Sequence, residues 1–127
     1  MASIITDGFH VPPPLLKVIL RAKGVAQSIV VSDMVFLAGQ PPGTYDFGCQ
    51  KVVLEPDGFV HQYEGPYLAG SSSSMLQCIN HLSKLDLLNL RDLEAVSFFN
   101  PLRALGLTPD AIIKLPAAVR LRSDGFF

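Results

Sequence analysis

The chain has 127 residues, of which 49% are hydrophobic and 17% charged, and its formal net charge is −1. That length is expected to form one domain with room for a real core, and the absence of any Lys/Arg run argues against nucleic-acid binding through a basic footprint. The charged fraction lies below the globular average of about 25%, so a domain this small and apolar is expected to hide surface in an oligomer.

Cys49 and Cys78 fit a reduced intracellular protein. The opening MASIITDGFH lacks a basic n-region and carries Asp7 early, unlike a secretory signal. No apolar run approaches the roughly 20 residues of a membrane helix, and the closing residues 123–127 match no lipidation motif. A cytoplasmic protein that engages no membrane is the expectation.

Residues 1–14 read as irregular, with Pro12, Pro13 and Pro14 favouring an extended polyproline stretch. Residues 15–22 fit a strand or a short helix; the prolines before them and the strands after them favour the strand. Residues 28–31 and 34–38 read as a β-hairpin with Ser32 and Asp33 as its turn, both residue types that bond to nearby backbone. Gly39, Gln40, Pro41 and Pro42 then end the strand, since neither proline can donate to a ladder.

A second hairpin is expected over 50–54 and 59–63. Its turn Glu55-Pro56-Asp57-Gly58 places Pro and Gly where a type I turn wants them. Residues 65–74 form a loop ending in four serines, the last a good helix N-cap. Met75, Ile79, Leu82 and Leu85 follow at helical spacing, with Cys78 widening the apolar stripe. Residues 93–99 are apolar and aromatic and read as a strand that Asn100-Pro101 breaks. Thr108-Pro109-Asp110 starts a short helix, which Pro116 stops, and 117–121 read as a last strand. The order predicts an α+β fold with a single mixed or antiparallel sheet and two helices packed on one face.

The candidate chemistry is sparse. His10, His61 and His81 stand alone, without CxxC or HExxH spacing, so no metal site is expected. His61 with Tyr63 and Glu64 suits general acid–base work, although one strand cannot converge its side chains on a point without partners. The serine run 71–74 suits a helix N-terminus, where anions are favoured, and equally a plain cap after a linker. Cys78 belongs with the core and Asp33 with a turn. Arg103, Arg120 and Arg122 each offer a planar fork for a carboxylate.

The segment 24–42 resembles the RidA (YjgF) family. Gly24-Val25-Ala26-Gln27-Ser28 stands where that family carries a segment close to GPYSQA, followed by residues 29–36 and then Ala38-Gly39-Gln40 before proline. Gln77 with Asn80-His81-Leu82, or Asn100 with Leu102, resembles its helical Gln…Asn-Leu pattern, and residues 116–123 resemble its Pro-Ala-Arg-Ser region. The family tyrosine is missing, with Val25 or Ala26 in its place. The resemblance implies a homotrimer with ligand clefts between subunits. It implies a cofactor-independent deaminase that hydrolyses carboxylated enamine or imine intermediates. Arg120 or Arg122 would hold the carboxylate, with Gly39, Gln40 and Gln27 shaping the cleft. The missing tyrosine keeps open a non-catalytic protein that binds a small carboxylated metabolite or a protein partner. A cone-shaped cyclase or isomerase with His61 or Asp46 as base in a deep internal cavity is the third reading.

Overall fold

The computed structural model describes residues 1–112. Strand β1 (Ala2–Ile5) pairs in parallel with β2 (Ser28–Val31), Ala2 standing opposite Ser28 and Ile5 opposite Val31. Parallel neighbours need a crossover rather than a tight turn, and helix α1 (Pro13–Lys23) supplies it. Pro13 and Pro14 occupy its first turn, where the missing N–H groups cost nothing. Leu16 and Leu20 are buried one turn apart, and Gly24, at φ 73°, ends the helix. The expectation of an irregular start and of a strand over 15–22 is thereby corrected. A short Leu/Ile/Val run does not tell strand from helix by periodicity; the proline start and glycine stop decide it.

The hairpin expected over 28–38 does not form. Asp33 takes φ 52°, which turns the chain away from β2. Residues 33–35 run instead beside Ser71: Ser71 N–H donates to Asp33 O at 3.0 Å and Val35 N–H donates to Ser71 O at 2.9 Å. Residues 36–39 form a turn that buries Leu37.

Strands β3 (Gly43–Phe47), β4 (Gln50–Leu54) and β5 (Val60–Gln62) form an antiparallel meander. The expected turn at 55–58 is present, with Gly58 N–H donating to Glu55 O at 3.0 Å. Helix α2 (Met75–Lys84) starts at Ser74 as expected: Ser74 and Gln77 cap each other reciprocally, and Cys78 and Leu82 are buried.

A helix replaces the strand expected over 93–99. Helix α3 (Leu90–Glu94) is capped by the Asn89 side chain, passes through a π-helical turn, Ala95–Phe99, and continues as α4 (Asn100–Ala104). Pro101 does not break it, because the wider turn absorbs the missing donor: Asn100 N–H reaches back to Ala95 O. Helix α5 (Pro109–Ile112) begins where Thr108-Pro109 predicts.

The described residues therefore hold two sheets, a parallel pair and an antiparallel triplet, rather than the single sheet expected. Each has its own core. Ile4, Leu16, Leu20, Val30, Cys78, Leu82, Leu93 and Val96 pack the parallel pair against its helices; Leu37, Val52, Leu54, Val60 and Ala69 fill the antiparallel unit. No helix among the described residues is long and apolar enough to cross a membrane.

Candidate functional site

Because β1 and β2 run in parallel, their C-terminal ends lie side by side. Ile5 and Val31 are the last pair in register, so Asp7 and Asp33 each stand two residues beyond it. The crevice outside the carboxyl ends of parallel strands is where such sheets place their ligands.

Asp7 organises this end. Its Oδ1 accepts the N–H groups of Phe9 (3.0 Å) and His10 (3.1 Å). Its Oδ2 accepts from Ser71 Oγ at 2.7 Å and lies 2.9 Å from His10 Nδ1. Burial pushes the Asp7 carboxyl up, and the bonds from Ser71, His10 and Phe9 outweigh it and hold its pKa below the usual carboxylate value. An ionised Asp7 accepts only, so His10 donates from Nδ1, and its Nε2 has no hydrogen-bond partner among the described residues.

Asp33 is the second carboxylate at this end. Its backbone is fixed by Ser71. Its residue is exposed, and no side-chain bond engages its carboxylate among the described residues. Its left-handed backbone, φ 52°, is one that Asp adopts more readily than most residues, and the Ser71 N–H bond to its carbonyl holds it there.

The loop 6–10 is tied down from three sides. Thr6 Oγ1 donates to Cys78 O at 3.0 Å. Gly8, at φ 95°, lies against the His81 ring, where a Cβ would stand 2.9 Å from Cε1. Phe9 packs on Phe59 (centroids 5.5 Å apart), and Phe59 stacks on His61 (5.2 Å). His61 bonds Glu55 Oε1 through Nε2 (3.1 Å) and faces the carbonyls of Gln62 and Gly65 through Nδ1 (2.8 and 3.2 Å). Among the described residues, no three His, Cys, Asp or Glu side chains are grouped so as to hold a metal ion.

The residues singled out from the sequence lie elsewhere. Gln27 ends a 3-10 turn before β2, whereas Gly39 and Gln40 follow its far end, so the strand separates them. Gly39 and Gln40 line an open cleft of about 280 Å³ with Glu55, Gly58, Ser72 and Gln77. Arg120 and Arg122 lie outside the described residues. Arg103 donates to Ala26 O at the surface. Asp46 is exposed and paired with Lys51 at 2.8 Å, and His61 is held by acceptors on both nitrogens. The sequence reading used Asp7 only against a secretory signal, left His10 as a lone histidine, placed Ser71 in a serine run suited to an anion or a plain cap, and gave Asp33 only a turn. The available signal was Asp-x-x-His one hydroxyl residue after one apolar run and Asp one hydroxyl residue after the next, each just past the end of a strand once 15–22 is read as the crossover helix.

No protein-family profile matches the chain. It is 31% identical over 107 residues to N-acetylglucosamine-6-phosphate deacetylase of Lysinibacillus sphaericus, a match covering 84% of this chain and 27% of that protein. It is 27% identical to the Bacillus subtilis deacetylase, over 84% of this chain and 26% of the relative. The chain thus spans about a quarter of the length of these relatives. The crystal structure of the Thermotoga maritima N-acetylglucosamine-6-phosphate deacetylase superposes with a TM-score of 0.75 at 27% identity, over 82% of this chain and 28% of that one. That of the Mycobacterium smegmatis enzyme superposes with 0.81 at 25% identity, over 98% and 34%. These similarities overturn the RidA resemblance, and with it the enamine or imine deaminase and its non-catalytic variant; the cyclase reading finds no match either. The stretch 24–42 that carried the resemblance holds no hairpin. In sequence and in fold the chain is similar to one part of the N-acetylglucosamine-6-phosphate deacetylases.

Proposed function

We propose that the chain carries part of the catalytic end of a deacetylase acting on an N-acetylated amino-sugar phosphate. The observation that carries this reading is the pairing of a hydrogen-bonded Asp7–His10 couple with an unengaged, conformationally fixed Asp33 at the ends of two adjacent parallel strands. Similarity to the deacetylases over 84% of the chain supports it. So does a Mycobacterium smegmatis deacetylase solved with N-acetyl-D-glucosamine-6-phosphate, similar at 25% identity and a TM-score of 0.73.

Amide hydrolysis needs a group that takes a proton from the attacking water and returns it to the departing amine. On this reading Asp33 makes that exchange. Water oxygen bonds to the acetyl carbon, Asp33 accepts the proton, the C–N bond breaks, and the proton goes to the amine, leaving acetate and the amino sugar. His10, oriented by Asp7 through Nδ1, presents Nε2 to the substrate. The outer edge of β1 is unpaired among the described residues and lines a groove of about 470 Å³ with His10, Val11 and Ile19. The trimer was implied by the overturned resemblance; apolar composition is its remaining support, and light scattering decides it.

The test is acetate release from N-acetylglucosamine 6-phosphate by the full chain, with Asp33→Asn beside it. The reading expects release that Asp33→Asn cuts by about 10²-fold or more, and amide shifts at residues 7–10 and 33–35 on titration with the substrate. No acetate together with unmoved amides overturns it.

A further inference from the structure

Ser71 touches both halves of the proposed site, by two different means. Its hydroxyl donates to Asp7 Oδ2 at 2.7 Å. Its backbone bonds Asp33 O and Val35 N–H at 3.0 and 2.9 Å. The hydroxyl's own orientation is set, because Ser73 N–H donates to Ser71 Oγ at 3.1 Å. That bond occupies a lone pair and leaves the O–H to point at the carboxylate. Ser71 is 2% exposed, so water does not substitute for the contact. Gly70 before it, at φ 82°, allows the close approach: a Cβ there would fall 2.3 Å from Val35 Cγ1.

We propose that Ser71 is a positioning residue that locks the Asp7–His10 pair and the Asp33 bend into one frame. This rests on the reading of residues 7–10 and 33 as the site. Oδ2 of Asp7 serves both Ser71 and the His10 ring, so the serine fixes the face that the carboxylate turns to the imidazole. That fixes the ring nitrogen carrying the proton, and so the side of the ring left for substrate. The backbone half of the frame belongs to the main chain and survives truncation of the side chain. The hydroxyl half does not.

The test uses Ser71→Ala and Ser71→Cys in the full chain, with ¹⁵N–¹H spectra of the His10 ring as the direct readout. The proposal expects the His10 ring to show one tautomer with Nδ1 protonated in the parent protein. It expects a mixed or exchange-broadened ring in Ser71→Ala, and an intermediate state in Ser71→Cys, whose thiol is a weaker donor. In acetate release, kcat of Ser71→Ala falls about 10-fold or more, the scale on which outer-shell partners act, with KM little changed. An unaltered His10 ring spectrum in folded Ser71→Ala, or in Ser71→Cys where the alanine variant does not fold, overturns the proposal. If the ring responds while the parent releases no acetate and its amides do not move on titration with the substrate, the positioning role stands and the deacetylase reading fails.

Discussion

Asn100 and Ser28, 72 residues apart in sequence, are joined by an amide that also reaches Val25: Asn100 Nδ2 stands 2.8 Å from each carbonyl. The π-helical turn before Pro101 turns this side chain inward, where it is 4% exposed. One side chain thus holds both ends of the turn that feeds β2, the strand leading to Asp33. Ser28 adds a local bond, its Oγ donating to Gly24 O at 2.9 Å.

Asn100→Leu preserves volume and takes this donor from the buried Ser28 carbonyl and from the half-buried Val25 carbonyl, which keeps the Ser28 N–H. A buried carbonyl left unsatisfied costs about 1–3 kcal/mol, so urea denaturation should show a loss within that range. Asn100→Asp should do worse, since a carboxylate would face two carbonyl oxygens. An Asn100→Leu midpoint equal to that of the parent protein would remove Asn100 as the brace of β2.

Asp7 makes stability depend on acid. Its folded pKa lies below the ordinary value of 3.8, burial being outweighed by bonds from Ser71, His10 and Phe9. A depressed carboxylate contributes stability that is fully present above its unfolded pKa and is lost as pH falls through the folded one. The parent protein should therefore lose stability between about pH 5 and the folded pKa of Asp7. Asp7→Asn should be less stable at pH 7 and show a flatter curve below pH 5. Parallel acid curves for the two proteins would show that Asp7 contributes nothing through its charge.

How much of this was readable beforehand follows from where the competing signals stand. The turn at Glu55–Gly58 and the cap at Ser74 were legible because one local motif fixes each: Pro-x-Gly for a turn, and Ser with Gln three residues on for a helix start. The crossover helix was not, because residues 15–22 are apolar on most sides and only Leu16 and Leu20 turn out to be buried. Misreading it hid the parallel pairing, and without that pairing Asp7 and Asp33 sit 26 positions apart with nothing to unite them. The pairing of 33–35 with Ser71 spans nearly forty residues and left no local trace except Gly70, which a loop reading also explains.

His61 is predicted to act with the opposite sign. The Glu55 carboxylate, followed by the Gln62 and Gly65 carbonyls, raises its pKa above 6.5. Both ring nitrogens face acceptors, which only the doubly protonated ring satisfies. A raised histidine contributes stability that is fully present below the unfolded pKa and is lost as pH rises through the folded one. Amide exchange at residues 62–67 should accelerate above that point, corrected for intrinsic base catalysis, and Glu55→Gln should bring the acceleration to lower pH. A His61 ring titrating below 6.5 would contradict the clamp.

The two thiols should react in separate phases. Cys49 is exposed at the tip between β3 and β4, whereas Cys78 is buried in the core. Burial, with the Asp7 charge behind it, pushes the Cys78 thiol up to about 11. Only the thiolate attacks a disulfide reagent. At pH 8 the native chain should release one equivalent from Ellman's reagent quickly, and the second only on unfolding. Cys49→Ser should abolish the fast phase; a fast phase that survives would place Cys78 within reach of solvent.

Gly70 and Val35 form the closest test of the frame around Ser71. A Cβ at position 70 would lie 2.3 Å from Val35 Cγ1, and φ 82° strains any L side chain there in addition. Gly70→Ala should therefore cost about 2 kcal/mol or more, combining overpacking with the left-handed penalty. Val35→Ala removes the colliding methyl but leaves the backbone strain. The two changes together should cost less than their sum, with a coupling of about 1 kcal/mol or more, as contacting residues show. Additive losses in the cycle would mean that residue 70 meets nothing at Val35. The segment carrying Ser71 would then lie farther from the Asp33 bend than its two backbone hydrogen bonds require.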